Sequence, residues 1–150
     1  MKILHKPWWL SPFCGDTWTI TIWPNVYPEK EYWENPDAPK WKPVIAHETV
    51  HIGQQASPTA FYLFGKLHSW VWEIRYLLSK KFRLEAEAKA YAVELRTAVK
   101  GDQDWRYWQA VRELAGPGYR YAAGSEEDAQ KAIIGACWDM DFKYVPRPRP

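Results

Sequence analysis

Residues 45–55 read IAHETVHIGQQ, and within them His47, Glu48 and His51 form the pattern H-E-x-x-H. Val44, Ile45, His47, Val50 and His51 recur at helical spacing, and Pro43 is tolerated in a first turn, so a helix is expected over residues 43–55. Side chains four apart share a helix face. Both imidazoles can therefore converge on one metal ion, while Glu48 sits beside that face, within reach of a water held there.

Outward from this helix the chain changes character on its two sides. Upstream, TWTITIW over residues 17–23 alternates and is rich in β-branched residues, which predicts a strand with Trp18, Ile20 and Ile22 on one face and Thr17, Thr19, Thr21 and Trp23 on the other. Pro24, Asn25, Pro28, Pro36, Asp37 and Pro39 punctuate a loop between that strand and the motif helix. Downstream, helical spacing predicts a second helix over residues 57–78, opened by Ser57-Pro58 and carrying Phe61, Phe64, Leu67, Val71, Ile74 and Leu78. A third is expected over residues 82–100, stopped by Gly101. A fourth, capped by Asp102, ends near Gly116-Pro117-Gly118, and Ser125 with Asp128 opens a fifth to about Trp138. The closing PRPRP is an extended tail.

A catalytic zinc takes three protein ligands and leaves one position open, so the two histidines need a partner from elsewhere. The longer pattern H-E-x-x-H-x-x-G-x-x-H fails, because Gln54 stands where its glycine belongs and Ser57 where its third histidine belongs. The third helix offers Glu85 and Glu87, which helical geometry separates by about 200°, so one alone can face the motif. Ala88 and Ala92 lie on the side of Glu85, and small residues permit close helix approach. Ala90, Tyr91 and Glu94 surround Glu87 and suggest a solvent-facing side. Glu85 is therefore the expected third ligand. Gln54 and Gln55, three and four residues after His51, either orient a ligand or form a polar helix end.

IAHETVHIGQQ followed after a helix by RLEAEAKAYA resembles the small single-domain gluzincins, zinc metallopeptidases with an H-E-x-x-H helix and a glutamate ligand on a later helix. It is particularly similar to short metallopeptidase sequences of bacteriophages and bacteria. The resemblance spans residues 17–96. It implies Zn2+ held by His47, His51 and Glu85, with Glu48 as general base for attack of a metal-activated water on a peptide or protein substrate. Tyr76 and Tyr91, with Arg75 and Tyr62 beside them, are candidate donors to the oxyanion. The strand preceding the motif implies an edge on which a peptide lies, with Trp18 or Trp23 touching it. Family helices often carry an aspartate four residues after the ligand glutamate; here that position is Lys89.

The fold expected is α+β and mainly helical: a zincin-like minimal core with a small β-sheet packed on the motif helix, and a helical C-terminal part. One domain is expected over residues 1–150, its core at about 17–100, a helical extension at about 102–140 and a tail over 141–150. Length agrees, since 150 residues is ordinary for one domain. Eleven Trp, nine Tyr and five Phe supply bulk for a core and argue against disorder. A net charge of +2 provides no broad basic surface, so nucleic acid is not expected as a partner. The N-terminus lacks the apolar run of a signal peptide, and the longest uncharged stretch, residues 52–65, is shorter than the roughly 20 residues that span a bilayer, so a cytoplasmic protein is expected. Cys14 and Cys137 allow one disulfide without indicating that it forms. Cys14 upstream of H-E-x-x-H invites comparison with deformylases, but SPFCGDTW lacks their cysteine motif. The rival readings are a glycan- or peptidoglycan-binding module built on the tryptophans, and a protein that keeps zinc for structure alone.

Overall fold

The computed structural model describes residues 1–10, 15, 18–56 and 67–149, with the backbone alone at 67–69. A three-stranded sheet is built from β1 (Lys2–Ile3), β2 (Ile20–Ile22) and β3 (Asn25–Tyr27), in the order β1-β3-β2. β1 runs parallel to β3 and β2 antiparallel to it, with Thr21 opposite Val26. A short 3-10 helix, Lys30–Trp33, leads into five α-helices: α1 (Trp41–Gln55), α2 (Leu67–Leu78), α3 (Lys80–Thr97), α4 (Gln103–Ala115) and α5 (Glu126–Asp139). The chain is thus mainly helical with a small sheet, as its pattern implies.

Several boundaries differ from expectation. The strand expected over residues 17–23 is confined to Ile20–Ile22, because the chain turns at Trp23-Pro24 and returns as β3, where a loop was expected. Two residues join these antiparallel strands, which leaves β2 at the sheet edge among the described residues. The first half of the helix expected over residues 57–78, with Phe61, Tyr62 and Phe64, lies outside the described residues, as does Cys14; Cys137 is a buried free thiol. α3 begins where the Ser79 hydroxyl accepts a hydrogen bond from the Phe82 amide at 3.2 Å. It ends three residues before the expected stop at residue 100, where Ala98 turns extended. Ser125 caps α5 in the same way as Ser79 caps α3, its hydroxyl accepting from the Asp128 amide at 3.1 Å.

α3 is the central element. Its alanines allow neighbours to approach from both sides: Ala88, Ala92 and Leu95 enter a core shared with Tyr107, Val111 and Leu114 of α4 and Ile133 and Cys137 of α5. The opposite side, with Glu87, meets α1. The segment expected as a C-terminal extension therefore supplies much of the main hydrophobic core.

α1 has an unusual inner face. Its buried residues include Pro43, His47, His51 and Gln55 along one i+4 row, with Glu48 alongside. Such a polar stripe carries a desolvation cost and requires partners from α3 and β2. Leu95→Ala is expected to lower unfolding free energy by about 2–5 kcal/mol in urea titration, against less than about 0.5 kcal/mol for exposed Lys89→Ala. Equal effects would contradict the placement of the core.

Candidate metal centre

Three buried side chains converge between α1 and α3. His47 Nε2 and His51 Nε2 lie 3.2 Å apart, and they lie 3.3 Å from Glu87 Oε2 and Oε1 respectively. The other ring nitrogens are already engaged. His47 Nδ1 meets Glu94 Oε2 at 3.1 Å, and His51 Nδ1 meets Gln54 Oε1 at 2.9 Å. Gln54 in turn donates from Nε2 to the Ala86 carbonyl at 3.0 Å, which orients its amide with the oxygen toward the imidazole. Both outer partners are acceptors, so both Nδ1 atoms carry hydrogen and, in neutral rings, both Nε2 atoms present lone pairs. Two lone pairs and a carboxylate then face one point.

A metal ion or shared protons could reconcile them. Glu87 Oε2 is buried, and no hydrogen bond reaches it despite the nearby imidazole. In tetrahedral coordination with bonds of about 2.0–2.1 Å, ligand atoms are separated by about 3.3 Å, which the observed spacings match. His47, His51 and Glu87 can therefore hold a metal ion.

Without a metal, protons take that role. Burial disfavours the charged form of His47, but the adjacent carboxylates of Glu87 and Glu94 outweigh it and hold the pKa well above 6.5. For His51, burial is outweighed by the charge of Glu87, and the pKa is again raised. Burial would raise Glu87, yet His51 and His47 hold it far below 4.5; Glu94 is lowered against burial by His47 and Arg106. Arg106, from α4, reaches Glu94 at 2.6 Å and the Lys40 carbonyl at 3.1 Å, which ties the C-terminal helices to the site.

The structure brings Glu87, and not the expected Glu85, beside the two histidines. Glu85 is exposed and sits 3.9 Å from Lys81, away from the histidines. The small residues on its side, Ala88 and Ala92, mark packing against α4 and α5, whereas Ala90 and Tyr91 beside Glu87 are buried. The contact to a ligand histidine that Lys89 cannot make is made by Glu94, seven residues after Glu87.

Glu48 is buried beside this cluster, and its Oε2 accepts a hydrogen bond of 2.5 Å from the Thr21 hydroxyl of β2. Thr21 was not singled out in the sequence, since strand alternation placed it opposite the isoleucines. His47 and Glu48 line an open groove of about 730 Å³, whose walls include Trp18, Thr19, Trp105, Arg112 and Tyr119. Trp18 thus reaches the groove and rests on Gly118, where an added Cβ would come within 2.8 Å of its ring. Trp23 is absent from the lining; its amide donates to Gln55 Oε1 at 2.8 Å.

Neither candidate tyrosine presents a free hydroxyl. Tyr76 donates to Glu87 Oε1, and Tyr91 donates to Glu113 at 2.5 Å while its ring stands edge-on to His47. Both phenols are held far above 10, Tyr76 by burial and then by Glu87, Tyr91 by burial and then by Tyr119. Tyr119, at 3.1 Å from the Tyr91 hydroxyl, lines the groove with Tyr91, whereas Tyr76 does not.

No family model, curated protein or solved structure matches the chain.

Glu87→Ala is expected to abolish zinc binding in equilibrium dialysis, while wild type and Glu85→Ala bind one ion per chain; retention in Glu87→Ala would contradict the ligand set. Glu94→Ala should weaken the affinity by about 10–100-fold. Stability against pH should carry opposite signs in the two forms. Raised histidine pKa values stabilise the metal-free fold below about 6.5 and cease to do so as pH rises through the folded values. The lowered Glu87 and Glu94 values stabilise it above about 4.5 and fail only as pH falls through the folded values. The melting temperature of the metal-free protein should therefore fall between about pH 6 and 8, whereas the increment added by zinc should grow, because metal competes with protons. Parallel trends in differential scanning calorimetry would refute this.

Proposed function

We propose that the chain is a zinc-dependent metallopeptidase with a zincin-like minimal core, the ion held by His47, His51 and Glu87. The observation that supports this reading is a cluster of three converging ligand atoms whose His47, together with a separate carboxylate, Glu48, lines an open groove. Two imidazoles, one carboxylate and tetrahedral spacing suit zinc, with the fourth position left to solvent or substrate. Zinc in such a site supplies Lewis acidity, polarising a carbonyl and lowering the pKa of water.

The chain's residues supply the rest. Glu48 takes the proton of the attacking water and delivers it to the departing amine, so no covalent link between enzyme and substrate forms. Thr21 donates to Oε2 and leaves Oε1 free of any hydrogen bond among the described residues, which fixes the orientation in which the carboxylate meets water. Among the described residues β2 is an edge strand, and Thr19, just before it, lines the groove, so an extended peptide can add alongside it. Gln54 and Glu94 hold the imidazoles in the tautomer that presents Nε2.

A closed structural zinc site needs neither a second carboxylate poised beside the ion nor an open groove, so both features favour catalysis. Glu48→Gln should retain zinc and lose at least about 100-fold in the hydrolysis of a fluorogenic peptide library. Turnover at the wild-type rate in this variant would refute the assignment. Thr21→Val should lower kcat by about tenfold with little change in KM, and Thr21→Ser should restore it.

A further inference from the structure

Besides its inner face, α2 has an apolar outer face. Trp70, Val71, Ile74, Leu77 and Leu78 are between 47% and 80% exposed. At 100° per residue they occupy an arc of about 120°, opposite the side on which Trp72 and Tyr76 meet the metal centre. A contiguous apolar stripe turned to solvent marks a surface that something covers.

The charges around the stripe indicate what. Exposed Arg75 runs along one flank, its guanidinium 4.5 Å from the Phe82 ring, and exposed Lys80 and Lys81 stand just beyond the C-terminal end. Arg75 and Lys80 form no ion pair among the described residues, and Lys81 approaches Glu85 only at 3.9 Å. The acidic group on the other flank, Glu73, is partly buried. An amphipathic helix with Trp and Leu outward and cations at its border suits the interfacial plane of an anionic bilayer. A second copy of the chain fits less well, since stable dimers bury about 20–30 residues a side and the stripe offers five. Among the described residues no helix is long and apolar enough to cross a membrane.

We propose that the outer face of α2 docks the protein on anionic lipid surfaces, with Trp70 and Leu78 entering the acyl boundary and Arg75, Lys80 and Lys81 meeting headgroups. The proposal stands independently of the metal centre.

Co-sedimentation of the full chain with vesicles of phosphatidylcholine, or of phosphatidylcholine with phosphatidylglycerol, tests it. Wild type should partition onto the anionic vesicles, and added salt should weaken binding. Trp70→Ser/Leu78→Ser should lose at least about tenfold in partitioning, and Lys80→Glu/Lys81→Glu a comparable factor on anionic vesicles alone. Unchanged circular dichroism and melting temperature establish that these exposed variants fold. No partitioning onto either vesicle, equal partitioning of wild type and Trp70→Ser/Leu78→Ser, or concentration-dependent dimers abolished by that variant would each overturn the proposal.

Discussion

The structure depends on a convergence of lone pairs in its interior. His47, His51 and Glu87 direct acceptor atoms at one point with spacings of 3.2–3.3 Å, and Glu94 and Gln54 fix both imidazoles so that Nε2 faces inward. Burying such an arrangement costs several kcal/mol per charged group, roughly, unless a cation offsets it. A proton shared between the imidazoles and Glu87 offsets part of this cost, and one metal ion could meet all three ligand atoms at once.

The architecture can be understood as the means of holding that point. α3 is buried on two sides, giving Glu87 to α1 and Ala88, Ala92 and Leu95 to the C-terminal helices. Arg106 joins α4 to Glu94, and Thr21 joins the sheet to Glu48. Tyr76 of α2 reaches Glu87, and Trp72 packs near His51. α2, α4 and the sheet thus each place a side chain against the cluster or against a residue that touches it, and the groove opens beside His47 and Glu48. The lipid-docking face proposed for α2 lies on the back of the same helix that orients Glu87.

Much of this was legible in the sequence. The spacing of His47 and His51 places them on one helix face, and the later helix carries the carboxylate they need. The choice between Glu85 and Glu87 was not legible from local composition. Alanines beside Glu85 signal a close helix neighbour without saying which helix, and here that neighbour is the C-terminal core. The polar residues around Glu87 read as a solvent-facing side because burial of Glu94 depends on Arg106, twelve residues away on another helix. Thr21 was hidden by the opposite rule: strand alternation points to isoleucines as the inner face, whereas the face that meets Glu48 carries a hydroxyl.

One metal ion is proposed to sit at this convergence. The most direct measurement is an anomalous difference map at the zinc edge from crystals grown with zinc. The account predicts the strongest peak within about 2.0–2.2 Å of His47 Nε2, His51 Nε2 and a Glu87 carboxylate oxygen. Full-occupancy density elsewhere with none at this point, or Glu85 in place of Glu87 in the coordination shell, would contradict it.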